Sequence, residues 1–323
     1  MTPSRIRWGV LGAAGIAVRR VIPAVQESRH GRVVAIASRD LARAEAAASA
    51  LGIERAYGSY DELLAAPDVD AVYIPLPNHL HVPWSVRSLE AGKHVLCEKP
   101  IGLTAEEADG LMAASARHAG RLVMEAFMYR FHPQWLAARR LVADEAIGRL
   151  RSVHTLFSYY NVDPANVRNQ RDAGGGALMD IGCYGVSVAR FLFGAEPSRA
   201  IGVMERDPTF GTDRLTSGVL EFEDGMATFT CATQSAPGQR VDVIGTGGRI
   251  EIEVPFNPPA DRQTRLLLTR RGETEEVRFE ATNQYTLQGD RFAEAALGGG
   301  PAPIPLADAV ANMRAIDAIR SSS

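Results

Sequence analysis

Asp180 and Tyr184 stand four residues apart in the stretch Gly174-Gly-Gly-Ala-Leu-Met-Asp-Ile-Gly-Cys-Tyr184. On a helix that spacing puts a carboxylate and a phenol on one face, where both could meet a substrate hydroxyl from the same side. Oxidising an alcohol by hydride transfer needs a group to take the hydroxyl proton, and an ammonium beside a tyrosine lowers the phenol's pKa toward that task. The candidate ammonium is Lys99, in Val95-Leu-Cys-Glu-Lys-Pro100, where an apolar run stops at two charges and a proline. In open α/β sheets ligands bind beyond the carboxyl ends of such strands, so Lys99 would point at one. The proline holds Lys99 extended and opens the way to a cis bond. Plainer readings stand beside these: a strand-end lysine that meets solvent, and a half-buried tyrosine with Asp180 favoured by the dipole near a helix N-terminus. Spacing alone does not choose between them.

The elements that must position these groups begin with strand, glycine turn and helix. Ile6-Arg-Trp-Gly-Val-Leu11 reads as the strand, Gly12-Ala13-Ala14-Gly15-Ile16-Ala17 as the turn, and Val18, Val21, Ile22 and Val25 as one face of the helix. Such a turn lets a pyrophosphate sit against backbone N–H groups at the positive end of a helix. The middle glycine of the usual pattern is Ala14 here, but a second apolar strand, Val33-Val-Ala-Ile-Ala37, follows about one βαβ unit later, as the motif requires. That strand ends in Ser38-Arg39, where an NAD site carries an acid for the ribose 2′-OH and an NADP site a cation for the 2′-phosphate. Asp40 comes two positions late and suits the N-cap of the next helix, and Arg43 lies one turn beyond Arg39. A solvated helix start would look the same, and both can hold together.

Strand and helix patterns go on alternating: helices near 41–51, 60–66, 82–91 and 105–119, strands near 71–74 and 122–125. This predicts an α/β fold with a doubly wound Rossmann domain over 1–125. From 126 to 323 a helix near 131–142 precedes period-two runs near 153–160, 200–205, 216–222, 227–233, 241–244, 250–254 and 265–271, broken by a helix over 177–193. These predict a second α/β domain built on a large, mostly antiparallel open sheet, with a last helix over 306–319 placed to pack back on the first domain. Strands this apolar would bury their free face against a second subunit, hence a homodimer or homotetramer. The net charge of −3, without clustered cations, offers no footprint for nucleic acid or membrane. No apolar run approaches ~20 residues, so no membrane span is expected. Three widely spaced cysteines make neither a disulfide framework nor a metal knuckle, which suggests a reducing, cytoplasmic setting. His79 and His81 lack a companion Cys or carboxylate at ligand spacing, so no metal is expected.

Gly12 to Ala17, Pro77-Asn78-His79, Glu98-Lys99-Pro100 and Gly174 to Tyr184 together resemble the Gfo/Idh/MocA oxidoreductase family over nearly the whole chain. The tyrosine at 184, where many relatives have histidine, resembles the branch of glucose-fructose oxidoreductase, dihydrodiol dehydrogenase and NADP-dependent D-xylose dehydrogenase. The resemblance implies an N-terminal Rossmann domain, a C-terminal domain whose open sheet serves oligomerisation, and Lys99, Asp180 and Tyr184 as catalytic positions. It places Leu76, Pro77, Asn78, His81, Glu98 and Lys99 at the cofactor beside the glycine turn, Ser38, Arg39 and Arg43, with Arg168 and Tyr285 as further contacts. It implies NADP, in preference to NAD, and a small sugar substrate, oxidised at the anomeric carbon as D-xylose or D-glucose would be. A ketoreductase on a nucleotide-linked deoxysugar or a reductase of dicarbonyls or dihydrodiols is the alternative enzyme. The family also holds non-catalytic sensors, against which the retention of Lys99, Asp180 and Tyr184 argues.

Overall fold

A computed structural model describes residues 5–323. The chain forms two compact units, one running to Met128 and taking in Gln284–Val310, the other comprising Tyr129–Asn283 and Ala311–Ser323.

In the first unit β1 (Ile6–Leu11), a π-turn (Ala17–Val21) and α1 (Ile22–Gln26) are followed by β2 (Gly31–Ala37), α2 (Leu41–Leu51), β3 (Arg55–Tyr57) and α3 (Tyr60–Ala65). Then come β4 (Ala71–Ile74), α4 (His81–Glu90), β5 (His94–Cys97), α5 (Ala105–Arg117) and β6 (Val123–Glu125). The six strands lie in the order β3-β2-β1-β4-β5-β6, all parallel. The order reverses between β1 and β4, the switch point at which α/β sheets bind ligands. Strands covered on both faces must be apolar throughout, and β4, Ala-Val-Tyr-Ile, is buried at every position. Polar caps start the helices: Asp40, Ser59 and Thr104 accept from Arg43, Glu62 and Glu107 N–H respectively.

The second unit holds α6 (Pro133–Ala143), β7 (Leu150–Tyr160), a π-turn (Leu178–Gly182), α7 (Cys183–Phe193) and the strands β8 (Arg199–Arg206), β9 (Asp213–Phe222), β10 (Gly225–Ala232), β11 (Gln234–Gly245), β12 (Gly248–Ile252), β13 (Thr264–Arg270) and β14 (Glu273–Phe279). The sheet runs β14-β13-β12-β11-β7-β10-β9-β8, antiparallel except between β7 and β10. Helix α7 lies so close to it that a Cβ on Gly185 would come within 2.7 Å of Phe229 Cβ. The helical run Arg171–Phe193 has the length and composition of a membrane span, yet 89% of its apolar window is buried in the protein's own core. It is a core helix.

The structure corrects several expectations. The helix over 177–193 opens as the π-turn and only then becomes α7, a local widening that recurs at functional sites. The free face of the large sheet is not uniformly apolar: Arg240 pairs with Asp242 on its own strand and with Glu251 on the next, and Arg265 pairs with Glu253 and Glu276. Leu156 lies opposite Arg240, and Val203 and Met226 are exposed on β8 and β10. Three elements had no sequence signal. β3 has only three residues, and β14 is an edge strand whose charges hide its alternation. The third, α8 (Gln284–Gly298), is polar at its start and carries Gly289 in its interior. The first unit claims it through Asp290, which accepts from Ser28 Oγ at 2.5 Å and from Arg29 and His30 N–H at 3.0 Å each. The final helix is α9 (Leu306–Ser321).

Candidate active site

The first unit gathers most of the residues expected at the cofactor at the carboxyl ends of its strands. After β1, Gly12 takes φ 114°, and a Cβ there would lie 3.0 Å from Leu76 Cδ2 and 3.8 Å from Tyr60 Oη. Only glycine turns the chain that way while leaving a cradle. Ala14 needs no such dihedral, since among the described non-glycine residues only Glu145 and Arg271 take positive φ. Its carbonyl accepts from Val18 N–H at 3.0 Å, so a helical run opens at Gly15 with its first N–H groups directed back at the turn. The geometry suits a dinucleotide diphosphate.

At the end of β2, Ser38 is buried and its Oγ accepts from Asp40 N–H at 3.2 Å. Asp40 Oδ1 in turn accepts from Arg43 N–H at 3.3 Å, so this carboxylate caps α2. Arg39 is exposed and hydrogen-bonds the Tyr60 phenol, whose pKa burial raises while Arg39 and Arg43 pull it down. Arg43 also reaches back to the turn, Nη2 donating to Ala13 O at 2.9 Å. Sequence reading missed Tyr60, whose only signal is its place at the start of a helix after Ser59.

Lys99 sits in a loop fastened from several directions. The Lys99–Pro100 bond is cis. His81, buried on α4, meets Pro100 O with Nδ1 and Leu76 O with Nε2, both at 2.7 Å, and so ties the loop after β5 to the loop after β4. Burial pushes this imidazole down to about 4, against the pull of the two carbonyls. With both ring nitrogens engaged, His81 positions these two loops. Ile101 N–H donates to Glu125 Oε1 at 2.8 Å, and Tyr73 Oη donates to Glu98 Oε1 at 2.7 Å. Tyr285 on α8 is close enough to Glu98 to feel its charge; burial first, and then Glu98, raise the phenol. Pro77 and Asn78 open the short turn Asn78–Leu80 that leads into α4.

The second unit holds Asp180 and Tyr184. Gly176, at φ 118°, lies so near Asp213 that a Cβ would fall 2.0 Å from its Oδ1, while Asp213 Oδ2 accepts from Leu178 N–H at 2.7 Å and from Thr216 Oγ1 at 2.6 Å. A Cβ on Gly175 would strike Arg168 O at 2.4 Å. The bare glycines therefore let Asp213 cap the helix start and let the 167–169 segment lie against it. Arg168, read from the resemblance as a cofactor contact, has its Nε 2.8 Å from Asp180 Oδ2. The same oxygen accepts from Tyr159 Oη at 2.5 Å. Burial, then Asp180, drives the Tyr159 phenol far up, so it stays protonated and donates. Tyr159 went unnoticed in the sequence, although it shares the inward face of β7 with Val153, Thr155 and Phe157. Tyr184 on α7 is only 4% exposed, with ring centroids of Phe256, Phe157 and Tyr129 at 4.9, 5.7 and 5.9 Å. A phenol and a carboxylate one turn apart, the latter braced by an arginine and a second phenol, can accept, hold and return a proton.

Residues 6–127 match the family model described as an oxidoreductase family with an NAD-binding Rossmann fold, and residues 135–251 match that of the GFO/IDH/MocA C-terminal domain. An uncharacterized oxidoreductase of Rhizobium meliloti is 46% identical over 98% of this chain and 97% of its own length. An NADP-dependent D-xylose 1-dehydrogenase of Haloferax volcanii is 42% identical over 98% of this chain and 97% of its own. Among solved structures, a 3-ketoreductase from Actinomadura kijaniata in complex with NADP and TDP-benzene superposes with a TM-score of 0.92 at 33% identity, covering 98% of each chain.

Proposed function

The chain belongs to the Gfo/Idh/MocA family of oxidoreductases, and from that premise we propose that it is an NADP-dependent enzyme moving a hydride between nicotinamide and a sugar carbon, foremost as an aldose 1-dehydrogenase on D-xylose or D-glucose. The observation that carries the cofactor choice is the end of β2, where Asp40 is spent on capping α2 and Arg39 stands exposed. The turn fits the dinucleotide: Gly12 keeps open a cradle that a Cβ would fill. Gly12, Ala13, Ala14, Gly15 and Ile16 receive the diphosphate, Ser38 and Arg39 the 2′-phosphate, and Leu76, Pro77, Asn78, Glu98 and Tyr285 the nicotinamide half. Arg43 acts from the floor of the turn. Bound NADP supplies the hydride acceptor.

Tyr184 takes the substrate hydroxyl proton as the carbon-bound hydrogen leaves as hydride, and returns it in the reverse direction. Lys99 supplies an ammonium that holds the hydroxyl. Asp180 orients the substrate, and Arg168 and Tyr159 hold that carboxylate in place. The sugar class is supported by the full-length relative acting on D-xylose. A second reading, reduction of a nucleotide-linked ketosugar, is favoured by the likeness to the 3-ketoreductase. We place the enzyme in the cytoplasm as a homodimer or homotetramer, supported by three free, buried cysteines and by the exposed Leu156, Val203 and Met226 on the second sheet. A panel of aldoses, ketoses and nucleotide sugars, read by NADPH absorbance, tests the substrate class. Turnover confined to nucleotide sugars would replace the first reading by the second, and none at all would leave the sensor.

A further inference from the structure

The phosphate turn carries a side chain that the glycine pattern does not account for. Arg19 stands four residues beyond Gly15 in the helical run that opens there, and helical side chains lean toward the N-terminus. Its guanidinium folds back over the turn: the point a Cβ would occupy on Gly15 is 2.6 Å from Nη2, 3.0 Å from Cζ and 3.2 Å from Nη1. Burial does not force this, because Arg19 is exposed. The helix opposes it, since the first turn already carries the positive end of the macrodipole. A guanidinium laid there gains when an anion joins it. Ala14 supplies the reason for one more cation: the middle glycine of the pattern lets the diphosphate approach the backbone, and a methyl group in its place holds the diphosphate off.

Resting on the NADP reading above, we propose that Arg19 is a cofactor-binding residue that clamps the diphosphate of the dinucleotide and offsets Ala14, with Gly15 as the floor on which its side chain lies. Arginine's planar fork matches paired phosphate oxygens, which a lysine's point charge does not. The diphosphate is common to NAD and NADP, so Arg19 strengthens both alike. Discrimination stays with Arg39.

The test is equilibrium binding of NADP and of NAD to the purified protein by calorimetry, at low and high salt, with kinetics and thermal melting alongside. Arg19→Ala is expected to weaken both dinucleotides by about tenfold, the loss of one charge-assisted hydrogen bond, and to flatten the salt dependence. The kinetic loss falls on KM for the cofactor rather than on kcat, and melting of the protein without dinucleotide does not move. Ala14→Gly added to Arg19→Ala recovers part of the affinity, and Gly15→Ala, which displaces the guanidinium, weakens both dinucleotides with Arg19 still in place. Unchanged affinity for both dinucleotides in Arg19→Ala overturns the proposal, as does a loss confined to NADP, which would put Arg19 on the 2′-phosphate. Wild-type protein that binds neither dinucleotide overturns the NADP reading instead.

Discussion

The two units hold their working residues by different means. In the first, backbone does most of the holding: a glycine dihedral at Gly12, a strand end at Ser38-Arg39, and a Pro100 carbonyl that meets His81. In the second, side chains hold side chains. Asp180 is braced by Arg168 and by Tyr159 from β7, and the helix that carries it is capped by Asp213 of β9. Backbone devices are local in sequence, so a reader of the sequence meets them as motifs. Braces drawn from distant strands leave no local mark. The first arrangement suits a ligand grasped through its phosphates, and the second suits a proton that must be placed to within a fraction of an ångström.

The largest expected effect breaks the second unit's chemistry without touching the first unit's grip. Tyr184→Phe should lower kcat by about 10²–10⁴-fold, the range for a lost general acid or base, and leave the Kd for NADP in place. Steady-state kinetics beside a binding titration separate the two. Turnover close to wild type would remove Tyr184 from proton transfer.

Next comes the packing that the second unit depends on. Gly176→Ala puts a Cβ where Asp213 already sits, at a φ of 118° that side-chain-bearing residues avoid, and should cost about 2–4 kcal/mol. Gly194→Ala meets no atom within 4 Å at φ 64°, so only the left-handed backbone penalty applies, about 1 kcal/mol. Chemical denaturation of both variants compares them. Equal losses would mean that the approach of Asp213 contributes nothing.

These contrasts explain how much was legible. The parallel sheet, the glycine turn and the Asp180–Tyr184 pair could be read because each lies within a few residues of its own signal. Lys99 could be read as a candidate from the strand end that it closes, the family resemblance turned the candidates into an assignment, and the matching family models bear out the family itself. Tyr159 was not legible, because its role depends on the register of β7 against a helix more than twenty residues later. Helix α8 was hidden for a related reason: Gly289 weakens its pattern, yet a Cβ there would lie 3.3 Å from Val25 Cγ2, so it marks close packing on α1. The apolar outer face was inferred from strand composition, but period two sends much of that apolar content inward and leaves Leu156, Val203 and Met226 outward beside charged and polar neighbours.

Arg39→Ala tests the first unit's grip. Paired charge-assisted hydrogen bonds to the 2′-phosphate are worth about 1.5–3 kcal/mol apiece, so the variant should lose roughly tenfold or more of its NADP affinity. NAD, which lacks that phosphate, should bind as before. If the wild type uses NAD as efficiently as NADP, the exposed arginine is a solvated helix start and nothing more.

The smallest effect is the sharpest on how backbone and ligand share the end of β2. Asp40 lies one residue past Arg39, and two roles compete for its carboxylate: holding a ribose hydroxyl, or capping α2. Its Oδ1 accepts from Arg43 N–H at 3.3 Å, and its backbone dihedrals of −110° and 106° are the extended ones an N-cap takes. A carboxylate turned to the ribose would also face the 2′-phosphate of NADP and repel it, so capping keeps an anion away from the site. Asp40→Ala should therefore cost about 1 kcal/mol of stability, as a lost cap does, and leave the NADP-to-NAD ratio of kcat/KM where it was. Asp40→Asn retains an acceptor oxygen and should recover most of that stability. A ratio that moved strongly in Asp40→Ala, with no change in melting temperature, would show the carboxylate working on the ligand.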